Sequence, residues 1–454
     1  MRSFTANEDS RLRLWLHVRE FAVPPSMIEA ATARRAAGDW AGACAAARFD
    51  VDLDLRETAR RHGRELAAQV RRDLRHLAPD LLRWHLPRIA PDGLLRPGLT
   101  VSLARYQPAG PRGTAVHLVA RTAPAWADSG QRISLALWDG AAGPPLHPHP
   151  RPDARFRLDL HRHLWDARRT GDLRERSGAG LAAEGGPDPA GLVPPDLGCA
   201  VHRWAAEAAI LREADGVGGA VVVRLGGRHR LLLHPPAPGE PAGLAALPAR
   251  HPSAGRPVLP DAATWVPPDL ALLRAGMLTA DRLHPLVATA LVPGHVPAGP
   301  ARAAPGAARP RLVECRGERH RIDLVDGVLA PLDHDPAEVR RELLLAALGG
   351  PPLPCLRAID EAHRHPAGLA DVRARLDHGD TAGALAAVEA LLGPDALLRS
   401  GPLHDELVTA AQQRVTHGLF RAGLVGFGPG PKTRDTLRRR EVRTRPRLAA
   451  GSPL

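Results

Sequence analysis

Three stretches dense in proline and glycine, residues 170–198, 234–260 and 292–310, cut this chain into short pieces. Proline lacks a backbone N–H and glycine loses the most freedom on ordering, so both are kept out of helix interiors and central strands. What lies between the breaks is of ordinary helix or strand length. No stretch approaches the roughly eighteen apolar residues that a membrane-spanning helix needs. At 454 residues the chain has room for roughly two to four domains. Apolar residues make up 44% but aromatics only 3%, so cores must be assembled from Leu, Val and Ala.

The N-terminal part reads as helical. Arg11–Val23 fits a helix or a strand. After Pro24-Pro25-Ser26, the run Ala33–Ala47, ARRAAGDWAGACAAA, recurs 341 residues later as Ala374–Val388, ARLDHGDTAGALAAV, with nine of fifteen positions matching. Each copy reads as helix, Gly-Asp turn, helix. Gly38 and Gly379 can take the left-handed conformation that ends a helix, and Asp39 and Asp380 can cap the next. The small residues of the second helix permit close approach of a neighbour. Phe49–Leu55 alternates like a short strand. Its aspartates do not make an EF-hand from Asp50, because the sixth and twelfth positions are Leu55 and Arg61, not Gly and Glu. Asp54 and Glu57 form a capping pair for one helix with Leu55, Ala59, Leu66, Val70, Leu74 and Leu77 on its apolar face. A shorter helix runs from Pro79 to Pro87.

The middle changes period. Leu99–Tyr106, Ala115–Arg121, Arg132–Trp138 and Phe156–His161 read as strands. A helix is expected over Ala200–Ala214, then a hairpin in which Val221–Leu225 and Arg228–Leu233 flank a two-residue Gly226-Gly227 turn. Pro268–Leu291 reads as helical. Leu312–Ile322 echoes the hairpin with a shift of 91. From Pro336 the pattern is helical, with candidates Pro336–Leu348, Leu356–Arg364, Leu369–Asp377, Thr381–Leu392 and Leu403–Arg421.

The fold class expected is α+β, with helical N- and C-terminal parts and small antiparallel sheets between. The regions are 1–95 helical, 96–169 β-rich, 170–198 linker, 199–335 mixed with two similar hairpins, 336–425 helical, and 426–454 a disordered basic tail. The run FAVPPSMIEAATARRAAGDWAGACAAARFDVDLDL resembles uncharacterised proteins of GC-rich actinobacteria, a resemblance that implies no function. Each helix hairpin resembles a single tetratricopeptide-type unit; two copies so far apart are not an array.

Net charge is +12, carried almost wholly by arginine, since Lys432 is the only lysine. Codon bias accounts for part of that excess, and a basic surface still favours acidic partners. Arg228-His229-Arg230 aligns with Arg319-His320-Arg321. Along a strand the arginines face one way and the histidine the other, so Arg228, Arg230, Arg319 and Arg321 are candidate anion or nucleic-acid contacts. His161, His163 and Asp166 form an incomplete metallo-β-lactamase-like pattern, H-x-H with the Asp one place late, and are candidate metal ligands. His147/His149 and His363/His365 repeat the spacing without a carboxylate. Asp333-His334-Asp335 offers mixed ligands in a turn. Gly426–Thr433 is close to a Walker A loop, but Pro431 fills the position before the lysine, where a backbone N–H must meet phosphate.

Cys44, Cys199, Cys315 and Cys355 contain no CxxC, which argues against a zinc knuckle. They read as buried thiols of a reducing cytosol. Cys44 reads as packing, not nucleophile. No G-x-S-x-G, H-E-x-x-H or G-x-G-x-x-G is present. The expectation is a cytoplasmic, non-enzymatic interaction protein without a cofactor, whose partner is another protein. Nucleic-acid binding through the arginines of the paired hairpins and the tail, and a metal-dependent hydrolase or transferase at His161/His163/Asp166, are the alternatives.

Overall fold

The computed structural model describes residues 5–107, 114–140, 147–180, 191–194, 197–226, 229–236, 242–248, 255–296, 311–326, 328–364, 368–393, 397–398 and 400–424. The fold is α+β, as the patterning implies. Two compact units are present. The first holds the described residues of 1–123, 131–306 and 378–380, the second those of 124–130, 307–377 and 381–424. The main break at 306/307 falls inside the proline-rich stretch 292–310, so the two echoing hairpins, expected together in 199–335, belong to different units.

The first unit begins with α1 (Thr5–His17), which runs into a π-helical turn at Val18–Ala22. Then come α2 (Pro25–Ala36) and α3 (Trp40–Ala46). Gly38 has φ 78°, and Asp39 accepts a hydrogen bond from the Gly42 N–H at 2.8 Å, as the turn reading requires. A Cβ on Gly42 would lie 1.9 Å from Asp39 Oδ2. Gly42 is therefore small to admit its own cap, not a neighbouring helix.

Strand β1 (Phe49–Asp52) is followed by α4 (Leu55–His62) and α5 (Arg64–His76). One helix was expected here. Gly63, with φ 94° and ψ 156°, breaks it. Asp54 caps α4 through the Arg56 N–H at 2.7 Å. Next are α6 (Pro79–His85), β2 (Arg88–Ile89), β3 (Leu94–Leu95), β4 (Thr100–Tyr106), β5 (Val116–Thr122) and β6 (Ile133–Trp138). The main sheet has the order β1-β6-β5-β4, with β1 parallel to β6 and the other pairs antiparallel. Strand β4 is buried at six of its seven positions, Thr100 and Ser102 included. Phe156–His161 is not a strand: Arg157 makes one bridge to Ser102 and the rest is turn.

After α7 (Leu173–Arg176) and α8 (Val201–Asp215) comes a second sheet of β7 (Val221–Arg224), β8 (Arg230–Leu233) and β9 (Leu244–Ala246). The Leu225 N–H donates to the His229 carbonyl at 3.0 Å. Three residues, 226–228, therefore connect the strands where two were expected; 227 and 228 lie outside the described residues. The expected Pro268–Leu291 helix is α10 (Pro268–Arg274) and α11 (Pro285–Leu291), preceded by α9 (Asp261–Thr264). Gly276, at φ 66°, and Pro285 divide it.

Because aromatics are scarce, buried polar groups stitch this core. Asp269 on α10 receives Arg19 at 3.1 Å and the Trp84 indole N–H at 2.7 Å. Arg83 is fully buried and donates to the carbonyls of Ala22 and Gln131 at 2.9 and 2.6 Å.

The second unit has one meander sheet, β10 (Arg311–Cys315), β11 (Glu318–Val325) and β12 (Val328–Pro331), followed by α12 (Pro336–Ala347), α13 (Pro354–Arg364), α14 (Leu369–Asp377), α15 (Thr381–Leu392) and α16 (Pro402–Arg421). These helices match the sequence pattern within two residues at each end. Among the described residues, no helix is long and apolar enough to cross a membrane. The basic tail and the Walker-like loop lie outside the described residues.

The first unit carries an acid-sensitive group. Burial pushes the His85 imidazole down from 6.5 to about 4, against the pull of Asp269. Above pH 6.5 the ring is neutral in both folded and unfolded chains. As pH falls from 6.5 to about 4, the unfolded chain takes the proton first and the folded state loses ground. The stability gap between wild type and His85→Leu should therefore shift by on the order of 3 kcal/mol in favour of the variant between pH 7 and pH 4. Urea unfolding at both pH values measures it, and a gap independent of pH would refute the assignment.

Candidate metal centre

Cys315 ends β10 and His320 lies on β11. Between them Arg316 and Gly317 form the turn, with φ 54° and 87°, the paired positive values of a tight two-residue hairpin. Cys315 pairs with Glu318 and Val313 with His320. Alternation along the ladder then places Cys315, Val313, His320 and Ile322 on one face and Arg319 and Arg321 on the other. The inward face is the covered one: Cys315 is 1% exposed and Ile322 3%.

His334 is fixed from both sides by the aspartates flanking it. Asp333 accepts from the Arg321 N–H at 2.7 Å and from the Arg321 guanidinium at 2.6 Å, tying the turn to β11. Those hydrogen bonds hold the Asp333 carboxyl down at about 2. Asp335 caps α12 through the Ala337 N–H at 2.8 Å, with Pro336 in the first helical position. The Asp-His-Asp triplet was read as a mixed ligand set. Its aspartates instead hold backbone and guanidinium, and only the histidine points to the site. Cys355 enters from the first turn of α13 and is fully buried.

These four side chains meet. One donor atom each from Cys315, His320, His334 and Cys355 lie within 4.8 Å of one another. His320 Nδ1 and His334 Nε2 face each other at 2.6 Å. Tetrahedral Zn²⁺, with Zn–S about 2.3 Å and Zn–N about 2.0–2.1 Å, spaces its donors about 3.3–3.8 Å apart. The set brackets that range. The outward nitrogens point to carboxylates: His320 Nε2 is 3.7 Å from Glu318 and His334 Nδ1 is 3.6 Å from Glu338. A ligating histidine whose far nitrogen meets a carboxylate is oriented and made more basic. Arg316 bridges Glu338 and Glu342 on α12, which anchors the strained turn residue. Burial and a hydrogen bond with Cys315 push the Cys355 thiol up to about 12.

Cys315 and Cys355 are buried, as read, but they meet each other and two histidines although no CxxC links them. Sequence reasoning missed them because the ligands are separated by 4, 13 and 20 residues and no CxxC marks the pair. Cys44 stays as read: burial pushes its thiol up to about 12, too high for a nucleophile.

His161, His163 and Asp166 do not form such a group. The two rings are 5.7 Å apart. His161 is held between Glu207, at 3.2 Å, and the Arg157 carbonyl, at 3.0 Å. Burial opposes ionisation of Glu207, but His161 and Arg176 outweigh it and hold that carboxyl at about 2. Asp166 is taken by Arg162 and Arg168, both at 2.8 Å. The anion candidates also separate. Arg228 lies outside the described residues, Arg230 pairs with Arg224 in the β7–β8 ladder, Arg321 is locked to Asp333, and Arg319 is exposed. His147 is buried against Thr100 and Thr122, not solvated.

No family model, curated protein or solved structure matches this chain.

If Glu338 orients His334 toward a metal, Glu338→Gln should weaken zinc binding about tenfold or more while the helix content stays unchanged. Competition with a chromophoric chelator reads the affinity, and unaltered affinity would show that the carboxylate has no such role.

Proposed function

We propose that residues 311–364 form a zinc-stabilised module and that the chain serves as a non-enzymatic interaction protein built on it. One observation carries this reading: two thiols and two imidazoles from four separate elements converge within 4.8 Å. Two sulfur and two nitrogen donors suit Zn²⁺. A site in which the protein supplies all four ligands leaves no position for a substrate or an activated water, and that is the pattern of a structural, not a catalytic, zinc. The interaction half rests on α12. Helix α12 has no buried residue, and Leu343, Leu344, Leu345 and Leu348 are 52–86% exposed. Contiguous exposed leucines on a helix mark a protein-binding surface more than a nucleic-acid one. The metal site would hold the first turn of this helix through His334 and Glu338.

Elemental analysis of the purified chain tests the metal. One zinc per chain is expected in wild type, and about a tenth of that or less in Cys355→Ser and His334→Ala. Cobalt substitution should give the visible bands of tetrahedral sulfur–nitrogen coordination. On chelation, amide exchange should accelerate across β10–β12 while β4 and β5 stay protected. Zinc-free protein with the same exchange pattern, or a Cys315–Cys355 disulfide in freshly purified material, would sink the proposal. For the surface, Leu344→Ser should change stability by no more than about 0.5 kcal/mol. A larger loss would make that leucine part of a core.

A further inference from the structure

A cavity of about 390 Å³ opens in the first unit between α1, α6, β2 and the segments leading into α9 and α10. Its walls are mostly apolar, with Trp15, Phe156 and Trp265 supplying flat surfaces. Volume and lining match a small-molecule site. The polar minority is lopsided: Arg11, Arg88, Arg96 and Arg155 face a single carboxylate, Asp261. Arg155 and Asp261 pair at 2.8 Å. Arg11 donates to the carbonyls of Leu197 and Gly198 at 2.5 and 3.3 Å. Arg88 donates to the carbonyls of Gly93 and Arg83 at 2.8 and 2.7 Å. Those bonds satisfy two of its N–H groups but bring no negative charge. Desolvation and the neighbouring Arg19 pull its pKa down to about 9, the mark of a cation short of a counter-ion. Arg96 is exposed at the rim. Both Arg88 and Arg96 line the cavity. His85 also lines the cavity and is neutral at pH 7, so it neither adds nor cancels charge.

We propose that this cavity binds a small organic carboxylate, its head at Arg88 and Arg96 and its flat apolar body against Trp15, Phe156 and Trp265. A neutral ligand would leave the guanidinium charge uncompensated. A bare phosphate dianion would make no use of the aromatic walls. The site is independent of the metal centre.

Calorimetry on the full-length chain tests it, with indole-3-acetate, its primary amide and inorganic phosphate as probes. The carboxylate is expected to bind one per chain, and about tenfold or more tighter than the amide, the difference a charge-assisted hydrogen bond supplies. Arg96→Ala should weaken the carboxylate about fivefold or more at an unchanged melting temperature, while Arg71→Ala, on an exposed face of α5, should not. Ala262→Trp, which fills the cavity, should abolish binding. Equal affinity for acid and amide, phosphate binding as tight as the carboxylate, an Arg96→Ala variant that binds like wild type, or no binding at millimolar probe would each overturn the proposal.

Discussion

The apolar cluster beneath the β10–β12 sheet consists of Cys315, Ile322, Leu353, Cys355, Leu356 and Ile359, and two of those six side chains are thiols. A cluster this small gives little hydrophobic stabilisation, because a minor core buries too little surface to offset the ordering of its chain. The remaining constraint must come from polar and charged groups. They are arranged around the cysteines: Asp333 ties the His334 turn to β11, Asp335 starts α12, and Arg316 joins the hairpin tip to Glu338 and Glu342. Each of these bonds positions one of the four converging side chains or the carboxylate behind it. A bound metal would convert that convergence into folding energy, which is why a thin core and a ligand set belong together.

The first unit meets the shortage of aromatics in another way. Charged groups are taken inside together with their partners. Asp269 gathers Arg19 and Trp84. Asp73 accepts from the hydroxyl of Tyr106, the only tyrosine, at 2.8 Å, and from Arg162 and Arg168. Glu207 joins His161 to Arg176. Breaking one partner of such a set strands the other in a low-dielectric interior. Some of the arginine that composition presents as a basic surface is thus drawn into these networks, with Arg19 and Arg83 fully inside. The same networks explain why the His161, His163 and Asp166 spacing does not make a metal site: His161 is committed to Glu207 and Asp166 to Arg162 and Arg168.

Local signals in the chain were readable to within a residue or two where glycine, proline and capping side chains set them. The C-terminal helix that begins at Pro336 was legible from that proline, whereas those beginning at Pro354 and Pro402 were read one or two residues late. Strands β4, β5 and β6 followed from stretches of strand length that alternate or run apolar. The errors have equally local causes. Gly63 broke a helix whose apolar face continued through it, and Gly276 with Pro285 did the same further on. Phe156–His161 alternates like a strand, but with only a single bridge it has no ladder to join.

Composition and periodicity by themselves determined the α+β class, most element boundaries, the Gly38-Asp39 turn and the two-faced β11 strand, because each depends on neighbours a few residues away. Tertiary structure alone decided which cysteines meet. Cys315 and Cys355 are forty residues apart in sequence, with a sheet and a helix between them, and no short-range rule couples them. Only the packing of α13 against the inner face of the meander brings the second thiol to the first, beside two histidines whose rotamers their aspartate and glutamate neighbours have set.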